Sequence, residues 1–346
     1  MYGSERMHGG GELRGIANDP YALAGHIRPQ RPTMRVSMTL FGILNVYKPA
    51  DVTSREVVNR VERLVRPAKA GHAGTLDPLA EGVLVICVGQ ATRLIQYVQQ
   101  MRKHYRATFL LGCTSESDDT EREVIALPNT VIPTPDEIEQ ATRHFIGDIQ
   151  QRPPAHSAIK IGGKRAYKLA RKGAQFELAE RTVTIHEITV LRYEYPELDL
   201  DIECGSGTYI RSLARDLGAA LGTAAVMSAL ERTAIGCFQA SQAISTDSLS
   251  AESLLQNIQP ALTAIPSLPT VRLSDDEIVE IRHGRPIALP PHDMNSTSSV
   301  DPNAEWAAVD GSGQLVALLF QKRPGQLWPQ CNFDHAPSAS GKVDLD

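Results

Sequence analysis

The sequence predicts an α+β protein with a small β-rich module at its C-terminal end. Three observations predict it. Strand and helix patterns alternate from residue 42 to residue 221 in short, hairpin-like segments rather than long βαβ units. No Gly-rich fingerprint follows a strand and opens a helix, and Gly162-Gly163-Lys164-Arg165 lacks phosphate-loop spacing, so a nucleotide-hydrolysing engine is disfavoured. Beyond residue 300, two apolar segments flank Asp310-Gly311-Ser312-Gly313, a turn sequence suited to a hairpin.

Taken in order, Gly42–Tyr47 (GILNVY) predicts a strand that ends at Lys48-Pro49. Thr53 and Glu56 have capping-box spacing, Val57, Val58, Val61, Leu64 and Val65 recur at helical period, and Pro67 stops the helix. Lys69–Leu79 reads as a loop of small residues, Val83–Val88 as a buried strand, Ala91–Gln100 as helix and Tyr105–Leu111 as strand. An acidic, turn-rich loop covers Ser115–Glu123, and a helix follows at Asp136–Phe145. Lys164–Lys172 predicts a basic helix closed by Gly173. Arg181–Tyr195 is β-rich. The clearest strand comes next: Leu198, Leu200, Ile202 and Cys204 alternate with Asp199, Asp201 and Glu203. Gly205-Ser206-Gly207 breaks it, and a helix opens at Thr208 with Ile210, Leu213, Ala214, Leu217 and Leu221 on one face. Ser245–Pro269 reads as a connection. Ser274 and Glu277 cap a short helix that ends at Gly284, and strands follow at Trp306–Val309 and Leu315–Phe320.

This order divides the 346 residues into an N-terminal extension (1–38), a large domain (39–250), a small C-terminal domain (265–335) and a polar tail (336–346). The extension has no apolar run of signal-peptide type, and no segment approaches the ~20 apolar residues of a membrane helix. Five scattered cysteines without a C-x-x-C pair argue against disulfides and a zinc site, and for a reducing cytoplasm. With 35 basic and 40 acidic residues the formal charge is −5, which at first argues against a polyanionic partner. The distribution reverses that inference. From Thr246 onward there are 6 basic and 13 acidic residues, a net of −7, so the body before it carries +2. Lys48–Arg106 holds 10 basic and 5 acidic residues, and Arg152–Arg181 holds 8 basic and 2 acidic. Arg165, Lys168 and Arg171 within that second stretch are candidate phosphate contacts.

The segment GHAGTLDPLAEG, Gly71–Gly82, places one carboxylate among small residues just before a buried strand. It resembles the G-H-x-G-x-L-D-P-x-A-x-G signature of the TruB family of tRNA pseudouridine synthases. Other segments agree in order. Asn45–Ser54 (NVYKPADVTS) is similar to the family's K-P-x-G-x-x-S opening, Lys103–Arg106 (KHYR) to its tyrosine segment, Gly205–Ser212 (GSGTYIRS) to its third motif, and Ala229–Ile235 (ALERTAI) to the Leu-Arg-Arg segment after it. The similarity runs from about residue 41 to residue 240.

The resemblance implies a pseudouridine synthase fold, with a mixed, mostly antiparallel central sheet flanked by helices and a PUA-like C-terminal domain. It implies isomerisation of a tRNA uridine in the T-loop, at tRNA position 55, after base flipping, with no cofactor and no metal. Asp77 matches the family's nucleophile, Arg211 the arginine that pairs with it, and Tyr105 the tyrosine that stacks on the base and acts late as a base. Tyr209 and Leu230 match pocket residues, and His72 matches a histidine that inserts into the T-loop. Lys48 matches the motif lysine, for which support of the aspartate loop is favoured over catalysis. The implied partner is the tRNA T-stem-loop, with no membrane, no obligate protein partner and a monomeric state. Two other readings stay open: an RNA-binding or RNA-folding protein that has lost catalysis, and a guide-RNA-dependent synthase of the dyskerin type. Two departures stand in the motifs. Asp51 replaces a common Gly, and Glu81 a common Thr. The acidity of the C-terminal domain argues against strong RNA contact there and for a packing role.

Overall fold

The computed structural model describes residues 40–154, 160–161, 164–165, 178–289 and 304–333. The expected N-terminal extension, the polar tail, and Lys168 and Arg171 lie outside the described residues.

The chain opens with strands β1 (Gly42–Lys48), β2 (Ala70–His72), β3 (Glu81–Val88) and β4 (Lys103–Leu111). Two short ladders follow, β5 (Cys113–Thr114) with β6 (Ile125–Ala126), and, after β7 (Gly147–Gln151), β8 (Lys160–Ile161) with β9 (Lys164–Arg165). Then come β10 (Arg181–Glu194), β11 (Glu197–Cys204), β12 (Ala225–Ile235), β13 (Phe238–Gln239) and β14 (Ile244–Ser245). Ten of these strands make one sheet, in the order β14-β1-β3-β12-β4-β11-β10-β7, with β2 on β3 and β13 on β12. Only β1·β14 and β3·β12 are parallel. The expectation of a mixed, mostly antiparallel sheet is met.

Side-chain alternation explains how the sheet is covered. In β3, Val83, Val85 and Cys87 enter one apolar core while Leu84, Ile86 and Val88 enter another, so this unbroken apolar run is buried on both faces. Helix Ser54–Val65 covers the second with Val57, Val58, Val61 and Val65. Thr53 and Glu56 form the capping box that starts this helix, an arrangement worth about 1 kcal/mol. In β11, Leu198, Leu200, Ile202 and Cys204 face a third core, which helix Ile210–Ala220 covers with Ile210, Leu213, Ala214 and Leu217. The alternate β11 residues are partly solvated and paired: Asp199 with Arg192, Asp201 with Arg106, Glu203 with Arg102.

Three segments differ from expectation. Residues 225–235 have no element assigned from sequence, yet β12 lies between β3 and β4 in the sheet. Its bulges at Met227/Ala229 and Arg232/Ala234 break the period-2 signal. The expected helix at Lys164 does not begin there: Lys164 and Arg165 pair antiparallel with Lys160 and Ile161. The rest of that expected helix, residues 166–172, lies outside the described residues. Residues 245–269 are more than a connection. They include helix Ala251–Asn257, and Leu254, Ala261, Ala264 and Ile265 are buried in the cores beside β1 and β3.

The second sheet has the order β15 (Thr270–Arg272), β17 (Glu305–Val309), β18 (Leu315–Arg323), β19 (Gln326–Asn332) and β16 (Ile287–Ala288). Asp310 closes the predicted hairpin by accepting from the Ser312 and Gln314 amides, both at 2.9 Å. Helix Asp275–Arg282 carries the predicted Ser274/Glu277 capping box. Ala307, Leu315, Leu318 and Phe333 share a core with Val83 and Val85 of the large sheet, and Phe333 stacks on Phe41 at 5.4 Å. The acidic module is thus packed against the body through apolar groups.

Candidate active site

The Asp77 loop connects β2 to β3, and it is held almost entirely by groups distant in sequence. Ser54, on the first turn of its helix, accepts from the Leu76 amide and donates to the Leu76 carbonyl, both at 2.9 Å. The Pro78 carbonyl accepts from the Lys48 ammonium at 3.2 Å and from the Asp51 amide at 2.8 Å. The Leu79 amide donates to Glu121 at 3.0 Å. The buried Arg232 guanidinium donates to the Gly74 carbonyl at 3.1 Å and to the Val83 carbonyl at 2.7 Å. Gly82 permits this approach, since a Cβ there would lie 2.3 Å from the Arg232 carbonyl oxygen.

Asp77 itself remains about one-third exposed, and its Oδ2 lies 2.9 Å from Nη2 of Arg211, whose side chain is only 5 % exposed. Arg211 stands in the first turn of helix Ile210–Ala220, which Tyr209 precedes as N-cap. Its Nη1 donates to the Ser117 carbonyl at 3.0 Å and pairs with Asp119 at 3.4 Å. Arg211 therefore bridges two carboxylates, one open to solvent and one buried. Asp119 also accepts from Ser117 Oγ and from the Glu121 amide. One helical turn on, Arg215 pairs with Asp118 at 3.1 Å, so two consecutive aspartates hold two arginines of one helix face. Burial raises the Asp118 carboxyl above its ordinary range, although Arg215 and Arg211 oppose the shift.

Tyr105, on β4, is buried beside Leu76, Ala80 and Leu230 in one core. Burial pushes its phenol up; Arg232 draws it down, while Cys204 and Asp77 raise it. His72 is half-buried. Burial is the main cause of its lowered pKa, with Arg55 and Arg232 adding to it, and its Nδ1 accepts from the Gly74 amide at 3.4 Å, the arrangement of a neutral imidazole. The Lys48 ammonium is fully buried and donates to the Pro49, Val52 and Pro78 carbonyls. Burial lowers it to about 8, with Asp77 opposing. Its contacts are those of a brace beneath the loop. Tyr209 makes two backbone hydrogen bonds with the Gln151 side chain, and Arg181 lies over its ring at 4.8 Å. Arg165 falls in β9, apart from the elements that carry Asp77.

The structure thus pairs Asp77 with Arg211, ties Lys48 to the Pro78 carbonyl next to Asp77, and sets Tyr105 and Leu230 in the core that Leu76 enters. Sequence reasoning missed Asp119 and Glu121, which lie in a segment read only as an acidic loop, and Arg232, which was noted only within its motif. A pair of adjacent aspartates between Ser117 and Thr120 was the one available signal, and it reads equally well as a turn. Departures in the motifs also find physical reasons. Asp51 has φ +61°, the left-handed region that favours Gly and that Asp enters more readily than most residues. Glu81 stands beside Glu231 across the β3·β12 ladder, and Tyr47 donates to Glu231 at 3.2 Å. Buried Cys87 and Cys204 have thiols pushed up by burial to about 12 and about 11, so neither offers a reactive thiolate. Among the described residues, no three His, Cys, Asp or Glu side chains are grouped to hold a metal ion, and no helix is long and apolar enough to cross a membrane.

Comparison with known proteins gives this geometry a lineage. Residues 62–210 match the family model described as "TruB family pseudouridylate synthase (N terminal domain)", and residues 211–265 match "tRNA pseudouridylate synthase B C-terminal domain". The chain is 40 % identical over 325 residues to the tRNA pseudouridine synthase B of Rhodopirellula baltica, covering 83 % of this chain and 92 % of the relative. The chain belongs to the TruB family. A relative with the same name from an Arthrobacter species is 42 % identical over 286 residues, covering 81 % of this chain and 92 % of that one. Among solved structures, a chain in an "H/ACA RNP bound to a substrate RNA containing 2'-deoxyuridine" aligns with a TM-score of 0.64 and 25 % identity, covering 87 % of this chain and 86 % of the other. The boundary between the two TruB matches, at residues 210 and 211, falls inside the first turn of the helix that carries Arg211, so both matched regions contribute to the site.

Proposed function

We propose that this protein converts a uridine of the tRNA T-loop to pseudouridine, with Asp77 as the nucleophile. The reading rests first on the TruB relatives named tRNA pseudouridine synthase B, which this chain matches over nine-tenths of their length. The observation that carries it is the Asp77–Arg211 pair, an exposed carboxylate aligned at 2.9 Å by a buried cation. Carboxylate nucleophiles need this kind of fixed, preorganised geometry.

The base must leave the folded loop for its glycosidic bond to be reached. His72, at the edge of the Asp77 loop, enters the T-loop and takes the place of the extruded uridine. Tyr105 stacks on the flipped base, and Leu230 and Tyr209 close the pocket around it. In the reaction the bond from N1 to C1′ breaks, a bond from C5 to C1′ forms, C5 loses a proton and N1 gains one. Lys48 braces the Asp77 loop from below, and Arg165, Lys168 and Arg171 belong to a segment that meets the phosphate backbone.

The test is an unmodified tRNA transcript incubated with the purified protein alone, followed by mapping of pseudouridine. One product in the T-loop with wild type, and none with Asp77→Asn, is the expected result. Product elsewhere in the tRNA would reject the T-loop assignment, and product from Asp77→Asn would reject the nucleophile. Activity that appears only when guide RNA is added would point to the dyskerin-type alternative.

A further inference from the structure

Arg232 stands on β12 opposite Tyr105 on β4, and it is 2 % exposed. A guanidinium stays charged in a protein, so a full positive charge is held in the core. Nε and Nη2 are committed to the Val83 and Gly74 carbonyls. Those carbonyls lie on either side of Asp77 in the chain, so Arg232 ties together both ends of the Asp77 loop. The guanidinium also draws the pKa of the Tyr105 phenol down, against the effect of burial. One side chain therefore connects the loop with the nucleophile to the strand with the aromatic residue.

Two carbonyls ask for donors, not for charge, and a buried cation carries a desolvation cost of several kcal/mol. A phenol is different, because only its ionised form gains from a neighbouring cation. Three charged or titratable groups act on Tyr105: Arg232 from β12, Cys204 from β11 and Asp77 from its loop. Of these, Arg232 alone favours the phenolate.

We propose that Arg232 is a positioning residue for Tyr105, holding the phenol in register with the Asp77 loop and stabilising the charge its oxygen carries during proton transfer. The proposal rests on the reading of Tyr105 as a base. Isomerisation removes one proton from C5 and leaves one on N1. A phenol that gives its proton to N1 and takes the proton from C5 ends as it began, and is anionic in between. Arg232 acts on that intermediate state.

The experiment compares Arg232→Gln, which keeps donors for the carbonyls and removes the charge, with Arg232→Lys, which keeps the charge and has no fork. Single-turnover rates are measured on tRNA transcript across pH, beside folding by circular dichroism and tRNA affinity. Arg232→Gln is expected to slow the reaction about 100-fold, with the falling alkaline limb of the pH profile displaced to higher pH, and Arg232→Lys about 10-fold without displacement. Affinity for tRNA stays within about 3-fold in both. A role confined to the two carbonyls gives the opposite order, with Arg232→Gln the faster and neither profile moved, and that result overturns the proposal. Failure of Arg232→Gln to fold while Arg232→Lys folds and keeps the wild-type rate and profile would sustain a role for the charge; failure of both to fold would reduce Arg232 to a structural residue and overturn it. Tyr105→Phe separates the two levels. If it retains the wild-type rate, the reading of Tyr105 as a base is at fault. If it is slow and Arg232→Gln slows it again by the full factor, Arg232 does not act through Tyr105.

Discussion

Asp119→Asn is the substitution that most directly probes how Arg211 is held. Asp119 is 1 % exposed and has three partners: Nη1 of Arg211 at 3.4 Å, the Glu121 amide at 3.0 Å, and Ser117 Oγ. Asparagine fits the same space and keeps an oxygen for Glu121 and Ser117. What it loses is the negative charge beside a buried guanidinium, where it can present an amide donor to another donor. Removing one partner of a buried ion pair costs about 3–5 kcal/mol. Arg211 keeps Asp77 and the Ser117 carbonyl, so the lower end of that scale applies, about 3 kcal/mol of stability. If about 2 kcal/mol of this falls on the alignment of Asp77, the single-turnover rate drops roughly 30-fold. Urea denaturation measures the first quantity and rapid-quench pseudouridine formation at saturating protein the second. An unchanged rate at the full stability loss would show that Asp119 stabilises the fold without setting Asp77. No loss in either would refute the bridge itself.

Two further substitutions test the loop supports. Asp51 has φ +61°, so Asp51→Ala should destabilise by about 1 kcal/mol relative to Asp51→Gly in urea melts; equal midpoints would remove the backbone argument. Lys48 is fully buried and its ammonium is lowered to about 8, chiefly by burial. Its folded pKa lies below the unfolded value, so the unfolded chain binds the extra proton between about pH 8 and about pH 10.5, and stability from this group rises with pH across that window. Wild type should therefore gain up to about 3 kcal/mol on Lys48→Met from pH 7 to pH 10.5. Differencing the two proteins cancels the thiols and phenols that titrate in the same range, and a flat difference would show that Lys48 is not held as an uncomfortable cation.

Much of this arrangement was legible in the sequence, for local reasons. The capping boxes at Thr53 and Ser274, the unbroken apolar run of β3 and the strict alternation of β11 each encode their element within a dozen residues. Asp77 and Arg211 were legible only through the resemblance of Gly71–Gly82 and Gly205–Ser212 to the TruB motifs; standing alone, one reads as a turn aspartate and the other as a surface helix residue. The supports were harder to read. Residues 225–235 were left without an element because two bulges and a buried Arg scramble their pattern, although β12 joins the two halves of the sheet. Asp119 was hidden because a buried aspartate and a solvated one look the same until Arg211 arrives from 92 residues downstream. The basic stretch at Lys164 begins otherwise than its charge spacing suggests, because Lys164 and Arg165 pair as a strand with Lys160 and Ile161; the rest of the expected helix lies outside the described residues.

The same distinction resolves the charge paradox of an acidic chain whose relatives act on a polyanion. The formal −5 is a sum over 75 charged side chains, and most of the described ones meet solvent, where pairs are worth little and salt screens them. The buried charges around Asp77 are instead Lys48, Arg211 and Arg232, at 0 %, 4 % and 2 % exposure, against Asp119, at 1 % the one fully buried carboxylate among the described residues. Each cation is fastened to backbone carbonyls or carboxylates from separate segments, so this local positive field exists only once the chain has folded. The acidic C-terminal sheet faces that body through Ala307, Leu315, Leu318 and Phe333, none of them charged. Among the described residues, none of its acids pairs with Asp77, Arg211 or Arg232. A protein built this way can be acidic for solubility and still present a positively supported carboxylate to RNA, because desolvated charges count for more than exposed ones.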